Sequence, residues 1–409
     1  MTRTQKTFDA DVIIVGGGLT GCTLAGLLAA RGIQCLIVEA RAPGAGRQGN
    51  DPRVLAVTLA SANILKAARA WKHLPEDRVG VFRGMQVWDE NGNGDIEFDS
   101  TELCEATLGY IIEQTMLELA AEQGNGEIPG IKRLQPATPA TVKFENSAVR
   151  LELQDGTCLT ARLIVGADGG RSRIRELAGI ACPAYDYHQQ AFACVVETEL
   201  VHESIARQRF LTEGPLAFLP MADPRTSGIV WSTSPRHAGE LLAMDETEFN
   251  QALAAAFAYR LGAVVRSGPR AAFPLQHAHA ERYCLPRLAL VGDAAHTVHP
   301  LAGQGANLGL LDAAALAEII TGAWEGGRDI GAYGVLRRYE RWRRGENLLM
   351  MKTMQSFKCL FASRLRSVRC LRNIGLDLVD MMDPVKRLIM RRASGLAGDL
   401  PRAAYGIGK

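Results

Sequence analysis

The 409-residue chain has no C-x-x-C pair, and its nine cysteines, Cys22, Cys35, Cys104, Cys158, Cys182, Cys194, Cys284, Cys359 and Cys370, are odd in number and scattered singly. That spacing provides neither a closed disulfide framework nor a zinc-ribbon ligand set, and it points to a reducing, cytoplasmic setting. Aromatic residues are few, 6% of the chain, and the tryptophans Trp71, Trp88, Trp231, Trp324 and Trp342 all stand alone. Nowhere do about 18 uninterrupted apolar residues occur, and MTRTQKTFDADVIIVGGG enters a strand at once, so neither a signal peptide nor a membrane span is expected. Low-complexity linkers and internal repeats are also missing. A second domain is therefore expected to be inserted into the first rather than appended. What remains, 47% hydrophobic and 22% charged, is ordinary globular composition for a chain large enough to hold two domains.

Net charge is only +2, but its distribution is lopsided. From Arg337 to Lys409 there are 17 Lys/Arg against 6 Asp/Glu, a charge of +11, which leaves −9 on residues 1–336. No helix-turn-helix, RNA-binding or zinc signature accompanies this basic segment, so nucleic acid is not the expected partner. An anionic membrane surface is. Met350, Met354, Phe357 and Phe361 form one helical stripe, and Ile374, Leu378 and Met381 a second, among Lys352, Arg364, Arg387, Arg391 and Arg392. An amphipathic stripe can equally be a cap packed on the body of the protein.

The segment ADVIIVGGGLTGCTLAGLLAARGIQCLIVEA sets the fold. It reads as an apolar strand, Gly16-x-Gly18-x-x-Gly21 opening a helix of small residues, and a second strand ending at Glu39. The glycines admit a pyrophosphate, the helix N-terminus donates N–H groups to it, and a carboxylate 18 residues on suits a ribose diol. Further along, MQVWDENGNGDIEFDS (85–100) predicts a hairpin, LGYIIEQTMLELAAEQG (108–124) an amphipathic helix, and AVRLELQDGTCLTARLIVGADG a hairpin followed by a strand. Strands dominate from about Ala191 to Ile229, and a helix is expected near 246–258.

Two later motifs exceed the needs of a bare dinucleotide domain. VGADGGRSRIR (165–175) places Asp168 and three arginines after an apolar strand, and LALVGDAAH (288–296) places Asp293 after another. A flavin dinucleotide has a ribityl chain whose hydroxyls want a carboxylate, a role that suits Asp293. The turn PLAGQGANLG behind it, with Gly303, Gly305, Ala306 and Asn307, would set a helix N-terminus of about +0.5 elementary charge against the flavin edge that becomes anionic on reduction. The two glycine turns thus hold opposite ends of one cofactor, FAD.

Together, Gly16-x-Gly18-x-x-Gly21, GADG with Arg173 and GDAAH…P-x-A-G-Q-G-x-N resemble the class A FAD-dependent aromatic monooxygenases with the para-hydroxybenzoate hydroxylase fold. HPLAGQGANLGLLD, QRFLTEGPLAFLPM (208–221), DPRVLAVTLAS (51–61) and LRNIGLDLVD (371–380) resemble, more narrowly, the ring hydroxylases of ubiquinone biosynthesis. The likeness runs from about Asp9 to Leu396. It implies an α/β fold: an FAD-binding, Rossmann-like domain of the glutathione-reductase type (1–80, 101–185 and 275–345), an inserted mixed β-sheet substrate domain (81–100 and 186–274) and a basic C-terminal helical segment (346–409). Arg53 and Gln114 join the cofactor-binding set; Gln114-Thr115 stands where the family usually reads Asn-Arg, which removes one arginine contact.

The resemblance also implies a reaction. NADPH or NADH reduces FAD, dioxygen adds to give a C4a-hydroperoxide, and the distal oxygen passes to the ring of a polyprenylated phenol or quinol. Proteins of a ubiquinone-biosynthesis complex and the inner membrane surface are the implied partners. No nucleophile or triad is needed. His299 and Pro300 are the candidates facing flavin and substrate; Arg53 has the plainer alternative of a salt-bridged structural residue, and His296 that of a structural group after the Gly-Asp turn. His277 and His279 share a strand face, but no carboxylate or cysteine completes a ligand set, so no metal is expected. Among rivals, a flavin-dependent halogenase is disfavoured by the missing W-x-W-x-I-P stretch. A flavin-linked polyprenyl-lipid reductase and a non-catalytic FAD- and lipid-binding member of a biosynthetic complex stay open at this level.

Overall fold

The structure, a computed structural model, describes residues 8–44, 51–90, 95–297, 304–362 and 383–406. At its centre is a six-stranded sheet in the order β19-β20-β12-β1-β2-β8. Its strands are β1 (Val12–Val15), β2 (Cys35–Val38), β8 (Ile131–Leu134), β12 (Leu163–Gly166), β19 (Cys284–Leu285) and β20 (Leu288–Leu290). All neighbours run parallel except β19 and β20. Every residue of β1, β2 and β12 is buried, which is why these strands read as unbroken apolar runs rather than alternating ones. Each fully buried Ile or Leu there contributes about 1.5–3 kcal/mol.

Helix α1 (Leu19–Ala29) packs on this sheet beside a 22-residue helix, Gln304–Glu325. The second of these is long and apolar enough to cross a membrane, but 78% of its apolar window is buried inside the protein, as in a core helix. A three-stranded layer, β9 (Pro139–Phe144), β10 (Val149–Leu153) and β11 (Cys158–Ala161), forms the expected hairpin ahead of β12. Cys22, Cys35, Cys104, Cys158, Cys182, Cys194 and Cys284 are free thiols.

The second large sheet has nine strands, in the order β21-β18-β13-β16-β15-β14-β5-β6 with β17 also on β13. Its members are β5 (Gly84–Asp89), β6 (Asp95–Asp99), β13 (Ala184–Thr198), β14 (Ile205–Leu211), β15 (Gly214–Pro220), β16 (Thr226–Thr233), β17 (Val264–Ser267), β18 (Ala271–His279) and β21 (His296–Thr297). The β5–β6 pair is the predicted hairpin, and β5 joins the sheet parallel to β14. One face buries Phe192, Phe218 and Trp231 against α5 (Pro235–Ala243) and α6 (Glu246–Ala256). Helix α5 was not foreseen, although Ser234 capping it and Pro235 in its first turn are start signals.

A small sheet lies between the two large ones: β3 (Val54–Thr58), β7 (Gly109–Glu113) and β4 (Gly80–Phe82). Here the expected helix over 108–124 splits. Gly109–Glu113 is a strand, and α3 spans only Gln114–Gly126. Ile111 and Ile112 are fully buried and pair with Ala56 and Leu55, so tertiary pairing overrides the helical period. After β3 comes α2 (Leu59–Ala67), α4 (Arg173–Leu177) follows β12, and the buried helix Gln304–Glu325 is α7. The chain closes with α8 (Tyr333–Ala362) and α9 (Asp383–Ala393).

Candidate active site

The first glycine turn separates into residues the fold needs and one it does not. Gly16 has φ +107°, and a Cβ there would lie 2.3 Å from the Ala167 carbonyl oxygen; one on Gly21 would lie 2.0 Å from that of Gly16. Both are required for close packing of turn, helix and strand. A Cβ on Gly18 would meet nothing within 4 Å, and φ −77° suits any residue. Gly18 also begins α1 without a side-chain cap, so no capping side chain takes the first-turn N–H groups. An uncapped helix end beside a glycine turn with room at Gly18 is what a pyrophosphate requires.

Glu39 closes this end. Its carboxylate accepts the Gly17 N–H (2.7 Å) and the Arg41 N–H (2.9 Å). Burial alone would raise its pKa, but these N–H groups and the Arg41 guanidinium outweigh burial and hold it below the ordinary carboxylate range. Spare lone pairs remain for a ribose diol. Arg133 on β8, which the sequence reading passed over, donates to the Gly17 carbonyl (3.0 Å) and pairs with Glu122 (3.0 Å), bracing the turn from below.

Asp168 and Asp293 differ in employment. Asp168 accepts from the Ser172 hydroxyl (2.5 Å) and the Ile174 N–H (3.1 Å), tying down the start of α4; burial raises its pKa against these two bonds. Asp293 has no hydrogen-bond partner among the described residues. It sits in the turn 292–294 with burial pushing its carboxyl up, Asp312 adding to the rise and His296 opposing it, yet the side chain is open to solvent along the cleft. A deep, unpaired, water-reached carboxylate fits the hydroxyls of a ribityl chain. Arg175, quoted only as part of a motif at the sequence level, bridges the two turns by donating to Gly170 O and Ala294 O, both at 2.8 Å.

Behind Asp293 lies a buried network that sequence reasoning missed. Asp312, on α7 and fully buried, accepts from the Gly292 N–H (3.2 Å), His296 Nε2 (2.5 Å), Arg343 Nε (2.8 Å) and Asn347 Nδ2 (3.1 Å). Its pKa falls to about 2; burial by itself would raise it, and the His296 and Arg343 contacts reverse that. Asn347 continues to the Tyr283 hydroxyl (3.4 Å), which meets His279 Nε2 at 3.0 Å. His296 is thereby tied to Asp312 on α7, behind the Gly-Asp turn. The only advance signal was an aspartate inside an otherwise apolar helix.

Gly305, Ala306 and Asn307 fall in the first turn of α7. The Asn307 side chain accepts from the Thr58 N–H (3.0 Å) and donates to Ala56 O (2.7 Å), clamping α7 to the β3–α2 junction. The structure brings Arg53 and Gln114 together: the Gln114 N–H donates to Arg53 O (3.0 Å). Arg53 pairs with Asp51 (2.5 Å) and lies over the Phe273 ring, and the Gln114 amide donates to Glu118 (3.0 Å). His299, Pro300 and Gly303 lie outside the described residues, as does the second apolar stripe of the basic segment. His277 and His279 do lie on one strand, where His277 stacks on Tyr185 and His279 meets Tyr283.

Thr58 also borders an apolar pocket, open to solvent on one side, between β3 and the free face of the nine-stranded sheet. Phe82, Met85, Phe98 and Ile111 supply much of its apolar wall, and Met390 and Ala393 of α9 close one side. Lys386 holds α9 in place through Glu102 (3.0 Å) and lies over the Phe98 ring.

An extended dinucleotide cradle running from Gly18 to Asp293, with an apolar chamber beside its far end, defines a flavin-dependent monooxygenase architecture. A family model described as FAD binding domain matches residues 9–346, and the chain belongs to that FAD-binding family. It is 38% identical over 402 residues to ubiquinone hydroxylase UbiL of Rhodospirillum rubrum, covering 97% of this chain and 93% of that protein. To 3-demethoxyubiquinol 3-hydroxylase of Escherichia coli it is 35% identical over 388 residues, 94% of this chain and 98% of that one. Among solved structures, p-nitrophenol 4-monooxygenase PnpA from Pseudomonas putida superimposes with a TM-score of 0.77 over 95% of this chain and 98% of that one; at 19% identity the likeness is one of fold.

Proposed function

We propose that this protein hydroxylates the aromatic ring of a polyprenylated phenol or quinol in ubiquinone biosynthesis, using FAD, dioxygen and NADPH or NADH. The observation that carries the reading is the apolar pocket beside the cofactor cradle, in a chain similar along nearly its whole length to proteins named as ubiquinone hydroxylases. Bound FAD would supply electron transfer and oxygen activation. The chain's own residues do the rest: Gly16, Gly18 and Gly21 with the start of α1 hold the pyrophosphate, Glu39 the ribose, Asp293 the ribityl chain, and Asn307 fixes the head of α7 against the cavity floor. Domain division follows the same lines, with the FAD domain built from 1–80, 101–185 and 275–345 and the substrate domain from 81–100 and 186–274.

Ionising a phenol of pKa near 10 at pH 7 costs about 4 kcal/mol, and His299, beside Pro300, is our candidate for offsetting part of it. The test is oxygen consumption per NAD(P)H with the hydroxylated product identified. His299→Ala should retain flavin reduction, lose hydroxylated product and release hydrogen peroxide. Reduction of a prenyl double bond without oxygen uptake would instead establish a reductase.

Helix α9 also supports peripheral docking on the inner membrane. Met390 is buried at the cavity, while Arg387, Leu388, Arg391 and Arg392 are exposed, a basic face with one apolar residue at its centre. Sedimentation with anionic vesicles should be lost in high salt and in the variant with all three arginines changed to Glu. Salt-insensitive or absent binding leaves proteins of the biosynthetic complex as the partner of this face.

A further inference from the structure

The cavity wall supplied by the nine-stranded sheet follows the two-residue period on β15 and β16, while β14 contributes Arg207 between its two in-register residues. On β14 the cavity row includes Ala206 and Gln208, on β15 Pro215, Ala217 and Leu219, and on β16 Val230 and Ser232. Arg209, of opposite parity, reaches back to Ala256 O beneath α6 at 2.6 Å. Across the sheet Gln208 faces Ala217, which faces Val230. Neither neighbour can hydrogen-bond a side-chain amide.

Gln208 is 9% exposed and Ser232 3%, and neither side chain has a hydrogen-bond partner among the described residues. Two other polar groups lining the cavity are employed, while Ser394 at the end of α9 is a third hydroxyl there. Arg207 donates to His202 O (2.8 Å) and pairs with Glu203 (3.3 Å), and the Thr58 hydroxyl binds Ser61 (3.1 Å). On the adjacent strand the buried Gln86 amide is held by Asp95 and Glu97, both at 3.0 Å. Gln208 and Ser232 both line the cavity, so their unpaired polar atoms are left to the solvent that fills it. Among otherwise apolar lining, a ligand that displaces that solvent has to replace its hydrogen bonds at these two groups.

We propose that Gln208, assisted by Ser232, binds an oxygen substituent of the aromatic head group and so fixes which edge of the ring is presented to the flavin. This rests on the substrate class proposed above. A hydroxyl matches the amide in both directions, accepting from its NH₂ and donating to its carbonyl. The cavity offers no cation left unpaired among the described residues, since Glu203 neutralises Arg207. The head group it accepts is therefore a neutral phenol or quinol. A site built to hydrogen-bond a hydroxyl rejects the analogue lacking it, because the amide is then sealed in without a partner.

Calorimetric titration of the FAD-loaded protein with 2-geranylphenol and with geranylbenzene, which differs only by the missing hydroxyl, tests this. The native protein should bind the phenol at least about tenfold more tightly. In Gln208→Met, similar in volume but without polar hydrogens, the ratio should fall below about threefold, with FAD content unchanged and Tm equal or higher. Gln208→Asn should recover part of the preference. A tenfold preference that survives in Gln208→Met overturns the inference and leaves the function standing, as does equal binding of both compounds by the native protein. Loss of FAD and of Tm in Gln208→Met would mark Gln208 as structural and overturn it too. A native protein that binds neither compound removes the substrate class and this inference together.

Discussion

Replacing Gly18 by valine should weaken FAD binding about 100-fold while leaving the apoprotein folded, and the size of the effect follows from the turn. The Gly18 backbone is extended, and its Cβ position meets no protein atom within 4 Å; the apoprotein should lose no more than about 1 kcal/mol as a poorer helix start. With an unfolding entropy near 2.1 cal/mol/K per residue, 409 residues give roughly 0.9 kcal/mol/K, so apo Tm should move by about 1 °C or less. FAD at about 1,000 times its Kd stabilises by about 4.1 kcal/mol, a rise of roughly 5 °C. A side chain in the pyrophosphate cradle that weakens binding about 100-fold reduces the same rise to under about 2 °C. Thermal unfolding with and without FAD measures both quantities. Gly21→Ala is the contrast, because its Cβ would lie 2.0 Å from the Gly16 carbonyl oxygen and the apoprotein itself should be destabilised. If Gly18→Val shows the full FAD-induced rise, or loses apo stability as Gly21→Ala does, the assignment of this turn is wrong.

Asp312→Ala removes the shared acceptor of His296 and Arg343 and leaves a buried guanidinium without its counter-charge; the expected cost is about 3–5 kcal/mol, or roughly 3–6 °C in Tm. Because the folded pKa of Asp312 is depressed to about 2, its stabilising contribution is complete above pH about 4 and fades as the pH falls toward 2; the variant's Tm deficit should shrink over that window, and a constant deficit would refute the coupling. Asp293 is the opposite case. Exposed to solvent and without a hydrogen-bond partner among the described residues, it holds nothing in the apoprotein, so Asp293→Ala should weaken FAD binding while leaving apo Tm at pH 7 unchanged, by flavin fluorescence titration and calorimetry.

Local chemistry made much of this molecule legible in advance. The strand, glycine turn, helix and Glu39 are contiguous, so their physics is written within thirty residues, and the 149–161 hairpin carries its own turn. Long-range pairing was illegible. Ile111 and Ile112 resemble helix until β3 is laid beside them, and nothing within a few residues of Asp312 announces Arg343 or Asn347, which approach it from α8. Arg133 and Arg175 brace glycine turns distant in sequence, contacts no periodicity reports. Gln208 was visible only within a family-like segment. Its significance emerges when strand alternation turns it into a chamber whose other walls cannot bond it.

The order of strands in the central sheet has a consequence for how the protein is made. Strand β1, emerging first, lies between β2 and β12, and β12 in turn needs β20, which ends at Leu290. The whole nine-stranded sheet apart from β21 is synthesised in the interval, and its β5–β6 hairpin must itself wait for β14. At about 5–20 residues per second, the glycine turn spends roughly 14–55 s on a growing chain before the carboxylate at the far end of its cofactor exists. Pairings of such high sequence separation form slowly. A nascent chain halted before α7 has one half of the cradle and nothing to close it, so FAD can act as a late clamp on the finished fold and not as an early template for it.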